Sequence, residues 1–196
     1  MPAPKITVYL DIVSPFAYIA FHILKNSPTF SGCEITHIPI FLGGLMNACG
    51  NSPPITIKNK DKWIDVERLR WAKYFSVPMA AKVPDGFPIQ ALFRSTWVDR
   101  NSKIGEADGF AAVLEPVVGK DITQDVISSM GQPHVKSLLT SNTEQAFKDG
   151  AFGLPWFVCT NTKGETEGYW GVDHIGQVAD FLGLDRGRDV GFKAVL

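Results

Sequence analysis

Only three of the 196 residues are cysteine and four are histidine. Cys33, Cys49 and Cys159 form no C-x-x-C pair and no zinc-ligand spacing, and an odd number argues against a disulfide framework, so they read as free thiols. His22, His37, His134 and His174 place no two imidazoles one turn apart on a helix face, and no metal is expected. Nineteen basic against twenty acidic side chains leave no long-range field to draw in a polyanion. Neither nucleic acid nor a membrane surface is an expected partner. No apolar run reaches the length of a membrane-spanning helix, and a strand-like pattern begins at Ile6, where a signal peptide or presequence would continue. The expected location is the cytoplasm.

What the chain does contain is a junction. Ile6, Val8 and Leu10 alternate with Thr7, Tyr9 and Asp11 as in a strand, while Phe16, Ile19, Ala20 and Ile23 recur at helical spacing. Between the two patterns Ser14 suits an N-cap and Pro15 the first helical position, because proline lacks the N–H that would be unpaired there. The Ser14 hydroxyl is thereby placed beside unpaired N–H donors and the positive end of a helix dipole, where an anion is favoured. Plain capping accounts for the pair as well. The layout of strand, S-P-F-A turn and helix is that of a thioredoxin-type redox motif, with Ser14 and Ala17 at the two cysteine positions. Serine cannot exchange disulfides, but its O–H can donate to a thiolate brought in by a ligand. A bound thiol cofactor is the candidate.

At 45% hydrophobic residues the chain suffices for one well-buried domain or a domain carrying a large insertion. The first helix is expected to fade near Asn26–Pro28, and Cys33–Phe41 reads as a second strand completing a βαβ unit. Pro39 points to a sheet edge or a strand end. Gly43-Gly44 reads as a break before a single turn over Leu45–Cys49, followed by a rigid loop at 50–54. Asp61–Phe75 is predicted as a helix, with Asp61 as N-cap and apolar rows at Trp63, Val66, Leu69 and at Ile64, Trp71, Phe75. Residues 81–88 read as a loop, 89–98 as a helix and 110–118 as a helix with Pro116 near its end. A short helix over 123–130 is capped by Thr123, and a longer one covers 133–148. Strands then return at Trp156–Thr160 and Thr166–Trp170 about a turn at Asn161–Gly164, before a last helix, His174–Leu182, capped by Asp173.

The order is βαβ, a block of helices, then ββα. This is an α/β, thioredoxin-like fold formed by 1–42 and 150–196, with a helical domain inserted at 43–149. Pro155, just before the hairpin, is a candidate for a cis peptide bond that leaves the Leu154 backbone open to an extended peptide. An ordinary trans proline opening an edge strand is the alternative.

Four stretches, Asp11–Phe16, Gly50–Pro54, Gly150–Pro155 and Gly171–Asp173, resemble in this order the kappa-class glutathione transferases and 2-hydroxychromene-2-carboxylate isomerases of the DsbA-like thioredoxin superfamily. The resemblance implies a glutathione-dependent enzyme whose catalytic residue, Ser14, stabilises the glutathione thiolate. It places the tripeptide against Ser14, Pro15, Leu154 and Pro155, with Asn51 nearby, Lys60 at the glycyl carboxylate and Asp173 at the γ-glutamyl ammonium. The thiolate would add to an electrophilic small molecule, either remaining as a conjugate or leaving after a double bond has turned from cis to trans, in a role open to specialised metabolism. Phe16, Tyr18, Phe41 and Trp63 are candidates to line the acceptor pocket, although each also suits a core position. A homodimer is implied. Two other readings stand beside this one: a non-catalytic module binding glutathione or a peptide at Pro155, and a DsbA-like disulfide oxidoreductase, which the absent cysteines oppose.

Overall fold

Four strands form one mixed sheet in the order β2–β1–β3–β4: β1 (Lys5–Leu10), β2 (Glu34–Pro39), β3 (Trp156–Thr160) and β4 (Thr166–Trp170). This computed structural model describes residues 2–82, 99, 103, 106–189 and 191–192; the helix expected over 89–98 lies outside them. The described helices are α1 (Pro15–Asn26), α2 (Leu42–Ala48), α3 (Lys60–Tyr74), α4 (Ala107–Val118), α5 (Lys120–Ser129), α6 (Pro133–Lys148) and α7 (Ile175–Phe181). None is long and apolar enough to cross a membrane.

β1 is the axis of the sheet. It pairs in parallel with β2 (Val8↔His37) and antiparallel with β3 (Val8↔Phe157). A parallel pair requires a crossover, which α1 supplies, whereas β3 and β4 are joined by the tight turn at Asn161–Gly164. Ile6, Val8, Ile19, Phe157, Cys159, Ile175 and Val178 are fully buried together, so β1, β3, α1 and α7 share one core. The βαβ and ββα portions, and the edge position of β2 with Pro39 as its last residue, are as the sequence pattern predicts.

Helix starts differ more. α2 begins at Leu42 and runs through Gly43-Gly44, which the sequence reading treats as a break. The reason is tertiary: Leu42 N–H donates to Asp11 Oδ2 at 2.8 Å, Phe41 N–H donates to Thr143 Oγ1 at 3.0 Å, and the Phe41 ring lies over the two glycines. α3 is capped by Asn59 in the left-handed region, φ 70°, which asparagine tolerates, so Asp61 falls in the first turn. Of its two apolar rows, the one through Ile64, Trp71 and Phe75 faces inward and the one through Trp63 and Val66 does not. Trp63 and Val66 are exposed, and the inward face is Ile64, Arg68, Trp71, Ala72 and Phe75.

Thr123 is no cap. It is buried inside α5, its hydroxyl donating back to Gly119 O at 2.7 Å. Asp173 does not cap a helix either, because a 3₁₀ turn over Val172–His174 precedes α7 and takes its N-cap from Gly171.

Candidate active site at the end of the central strand

The register brings three connections to one end of the sheet. Tyr9 pairs with Trp156, and Trp156 with Trp170, so the segment after β1, the segment before β3 and the segment after β4 all leave from that end. They carry Ser14, Leu154–Pro155 and Asp173 respectively. Gly171 N–H donates to Pro155 O at 2.9 Å, joining the second and third. Asn51 Nδ2 donates to Phe152 O at 3.0 Å and its Oδ1 accepts from Ser52 N–H, which brings the loop after α2 to the same place.

Ser14 has extended backbone and caps α1, its Oγ accepting from Ala17 N–H at 3.2 Å. That bond uses a lone pair and leaves the hydroxyl proton to donate. Pro15 has no N–H, and the Phe16 N–H finds no acceptor among the described residues. The helix therefore presents one O–H and one N–H donor at its positive end. Ser14 is 6% exposed, so an anion reaching it leaves most of its water behind and interacts more strongly with these donors.

Asp11 ties this turn down. Its Oδ1 accepts from Val13 N–H at 3.2 Å, its Oδ2 from Leu42 N–H, and its carbonyl from Ser14 N–H. Burial holds its carboxyl above the usual carboxylate range, opposed by backbone donors from Leu42, Val13 and Ile12. Sequence reading passes over Asp11 because it fits the polar phase of β1; the available signal is an acid at a strand end three residues before an N-cap serine.

Across the site the Leu154–Pro155 peptide bond is cis. Neither Leu154 N–H nor its C=O takes a hydrogen bond from the described residues, although the residue is buried. The preceding loop is fixed by aromatic packing: the Phe152 ring lies 5.0 Å from Trp170 and 5.7 Å from Trp156. Gly153 is required for that, since a Cβ there would stand 2.6 Å from Trp170 Nε1.

Gly171 is the second obligatory glycine. Its φ of 86° belongs to a region other residues avoid, and a Cβ would lie 2.2 Å from Asp173 Oδ1. Gly171→Ala is expected to cost about 1–3 kcal/mol of stability, read as a lower midpoint in urea unfolding with an unchanged slope. A midpoint equal to wild type would show that the loop re-forms without strain.

The remaining sequence candidates differ in exposure. Lys60 opens α3, is exposed and forms no ion pair among the described residues. Tyr18 belongs to the core rather than to an open pocket wall: it is 5% exposed, and its hydroxyl donates to Pro78 O at 2.8 Å. Phe16 is half-buried beside Ser14, whereas Phe41 and Trp63 are 58% and 55% exposed. Burial raises the Cys33 thiol and pushes Cys159 up to about 12, with Cys33 and Glu167 adding to the effect. No group of side chains among the described residues could hold a metal ion.

A four-stranded mixed sheet closed by ββα, with a capped helix N-terminus on one side and an X–cis-Pro segment on the other, defines a DsbA-like thioredoxin fold. Residues 5–85 match the DSBA-like thioredoxin domain. Within that class the chain is similar to kappa-class glutathione transferases and to 2-hydroxychromene-2-carboxylate isomerases. It is 29% identical to glutathione S-transferase kappa 1 of Caenorhabditis elegans over 91% of both chains. It is 24% identical to 2-hydroxychromene-2-carboxylate isomerase of Pseudomonas sp. (strain C18), over 89% of this chain and 88% of that one. A solved 2-hydroxychromene-2-carboxylate isomerase superposes with a TM-score of 0.72 at 19% identity, covering 91% of this chain and 94% of the other.

Proposed function

We propose that this protein is a glutathione-dependent enzyme in which Ser14 activates the glutathione thiol for addition to an electrophilic small molecule. The observation that carries the reading is the Ser14 hydroxyl, its lone pair engaged by Ala17 N–H and its proton free to donate, beside the unpaired Phe16 N–H. Two donors at a helix N-terminus favour a thiolate over a thiol and so lower the thiol pKa. The open N–H and C=O of Leu154 suit the backbone of an extended cysteinyl residue, with Pro15 and Pro155 on either side of the bound sulfur. Asn51 keeps one amide N–H beyond its bond to Phe152 O and offers it to the tripeptide. Lys60 receives the glycyl carboxylate and Asp173 the γ-glutamyl ammonium.

The reaction then follows from the sulfur. The thiol loses its proton to solvent, and the thiolate forms a carbon–sulfur bond with the acceptor. If the acceptor expels a leaving group or takes up a proton, the product is a conjugate. If the thiolate has added to a conjugated double bond, rotation about the resulting single bond and expulsion of the same thiolate give the geometric isomer and regenerate glutathione. The helices between 43 and 149, with Phe16, Phe41 and Trp63, cover the acceptor in this reading, and the homodimer and cytoplasmic location expected from the sequence go with it. Disulfide exchange gains no support, since positions 14 and 17 are Ser and Ala.

The direct test is titration of the protein with reduced glutathione across neutral pH, following thiolate absorbance. A saturable complex with a thiol pKa lowered from about 8.5 to about 7 is expected. No complex at cellular glutathione concentrations sinks the proposal.

A further inference from the structure

We propose that His174 is a positioning residue that holds the Asp173 carboxylate in place for the ammonium of the ligand. The inference rests on the glutathione reading above and extends it to a side chain outside the expected contact set. Asp173 lies in the 3₁₀ turn anchored by the buried Val172, and its own side chain is 53% exposed. It caps no helix and accepts no backbone hydrogen bond among the described residues. Two neighbours limit where the carboxylate can go. Oδ1 lies over the bare Cα of Gly171, in the space a Cβ would occupy, and Oδ2 lies 3.4 Å from His174 Nδ1.

Nδ1 is fully buried and has no aligned hydrogen-bond partner among the described residues, while the rest of the imidazole reaches solvent. A buried N–H without a partner is unfavourable, and the Asp173 carboxylate, 3.4 Å away, is an acceptor within reach of it. The geometry suits a pair that tightens when a ligand draws the carboxylate into register. A neutral imidazole with its proton on Nδ1 donates to Oδ2 and leaves the negative charge of Asp173 for an incoming cation. The outward lone pairs of the same carboxylate remain open to an ammonium. Without the imidazole, the carboxylate keeps its charge but has no donor to fix its rotamer.

The consequence is selectivity for a free amine, and it can be measured apart from overall affinity. The Kd values of glutathione and of its des-amino analogue, in which hydrogen replaces the amine, are compared in wild type, His174→Leu and His174→Asn. Leucine removes the donor, whereas the asparagine amide sets an N–H close to the position of Nδ1. Wild type is expected to prefer glutathione, His174→Leu to lose about fivefold of that preference, and His174→Asn to retain most of it. A structural defect would weaken both ligands alike and leave the ratio unchanged, so a wild-type ratio in His174→Leu overturns the inference. Failure of wild type to bind either ligand overturns the glutathione reading itself. Binding of both ligands with equal affinity overturns the role of Asp173 while leaving that reading standing.

Discussion

Replacing Ser14 by glycine is expected to lower turnover about 100-fold, the usual scale for deleting a donor aimed at an anion in a water-poor site, while glutathione still binds. Glycine is the informative replacement. Alanine removes the cap of α1 as well as the O–H, at about 1 kcal/mol, whereas glycine at an N-cap costs only a few tenths. The bound thiol pKa should rise back toward that of free glutathione in the same variant, so that activity recovers in part at alkaline pH. Rates matching wild type at neutral pH would remove Ser14 from the mechanism and leave it as a cap. The distinction is sharp because, in the proposed complex, Leu154 and Asp173 contact the ligand through other atoms and should preserve binding.

The second large effect is expected at Arg68, which has no part in the proposed chemistry yet is 1% exposed. Its Nε and Nη2 both donate to Asp65 Oδ1, at 2.8 and 2.6 Å, while Nη1 donates to Ala80 O at 2.7 Å and Nη2 to Ala81 O at 2.9 Å. One planar guanidinium thus ties α3 to the chain that follows it. Arg68→Met keeps most of the aliphatic stem but leaves two carbonyls without this donor, and should destabilise the protein by about 2–3 kcal/mol. The figure is set below that usual for breaking a buried pair because Asp65 is half-exposed and partly screened. Lysine should recover less than half of the loss, since a single ammonium cannot reproduce a fork that serves a carboxylate and two carbonyls. Equilibrium unfolding in urea reads both variants, and a change under about 0.5 kcal/mol for methionine, the scale of an ordinary surface substitution, would mean that solvent replaces the guanidinium.

Arg68 also marks the limit of what is legible in the sequence. Helical periodicity gives α3 two apolar rows; the one through Ile64, Trp71 and Phe75 faces inward, but Trp63 and Val66 of the other are exposed and a charged side chain is inside. The rule that fails is that apolar residues face the core; what overrides it is a pair of backbone carbonyls and a carboxylate that the arginine fork satisfies together. α2 is similar, because two glycines read as a break until the ring of Phe41 and the Asp11 carboxylate are in place. Several features fixed by neighbours in sequence are read correctly, although the caps expected at Asp61, Thr123 and Asp173 are not. The Ser14-Pro15 cap, the alternation of β1 and the β3–β4 hairpin all depend on local spacing and local sterics. Gly171 and His174 carry no periodic signal, since their roles depend on where the Asp173 carboxylate lies in space.

Part of the site consists of atoms that every residue except proline possesses. The N–H of Phe16, the N–H and C=O of Leu154 and the N–H of Gly171 are set by strand register and turn shape, whatever side chains sit nearby. Such a site can be inherited through heavy amino-acid turnover, because a substitution that preserves the turn preserves the contact. Identities of 24% and 29% to the relatives are compatible with that mode of descent. Within the proposed site, the side-chain positions where drift would be costly are few: the hydroxyl at 14, the missing Cβ atoms at 153 and 171, and the acid at 173. If the proposed chemistry holds, a new acceptor can be acquired by changes in the inserted helices while the sulfur end is left unaltered.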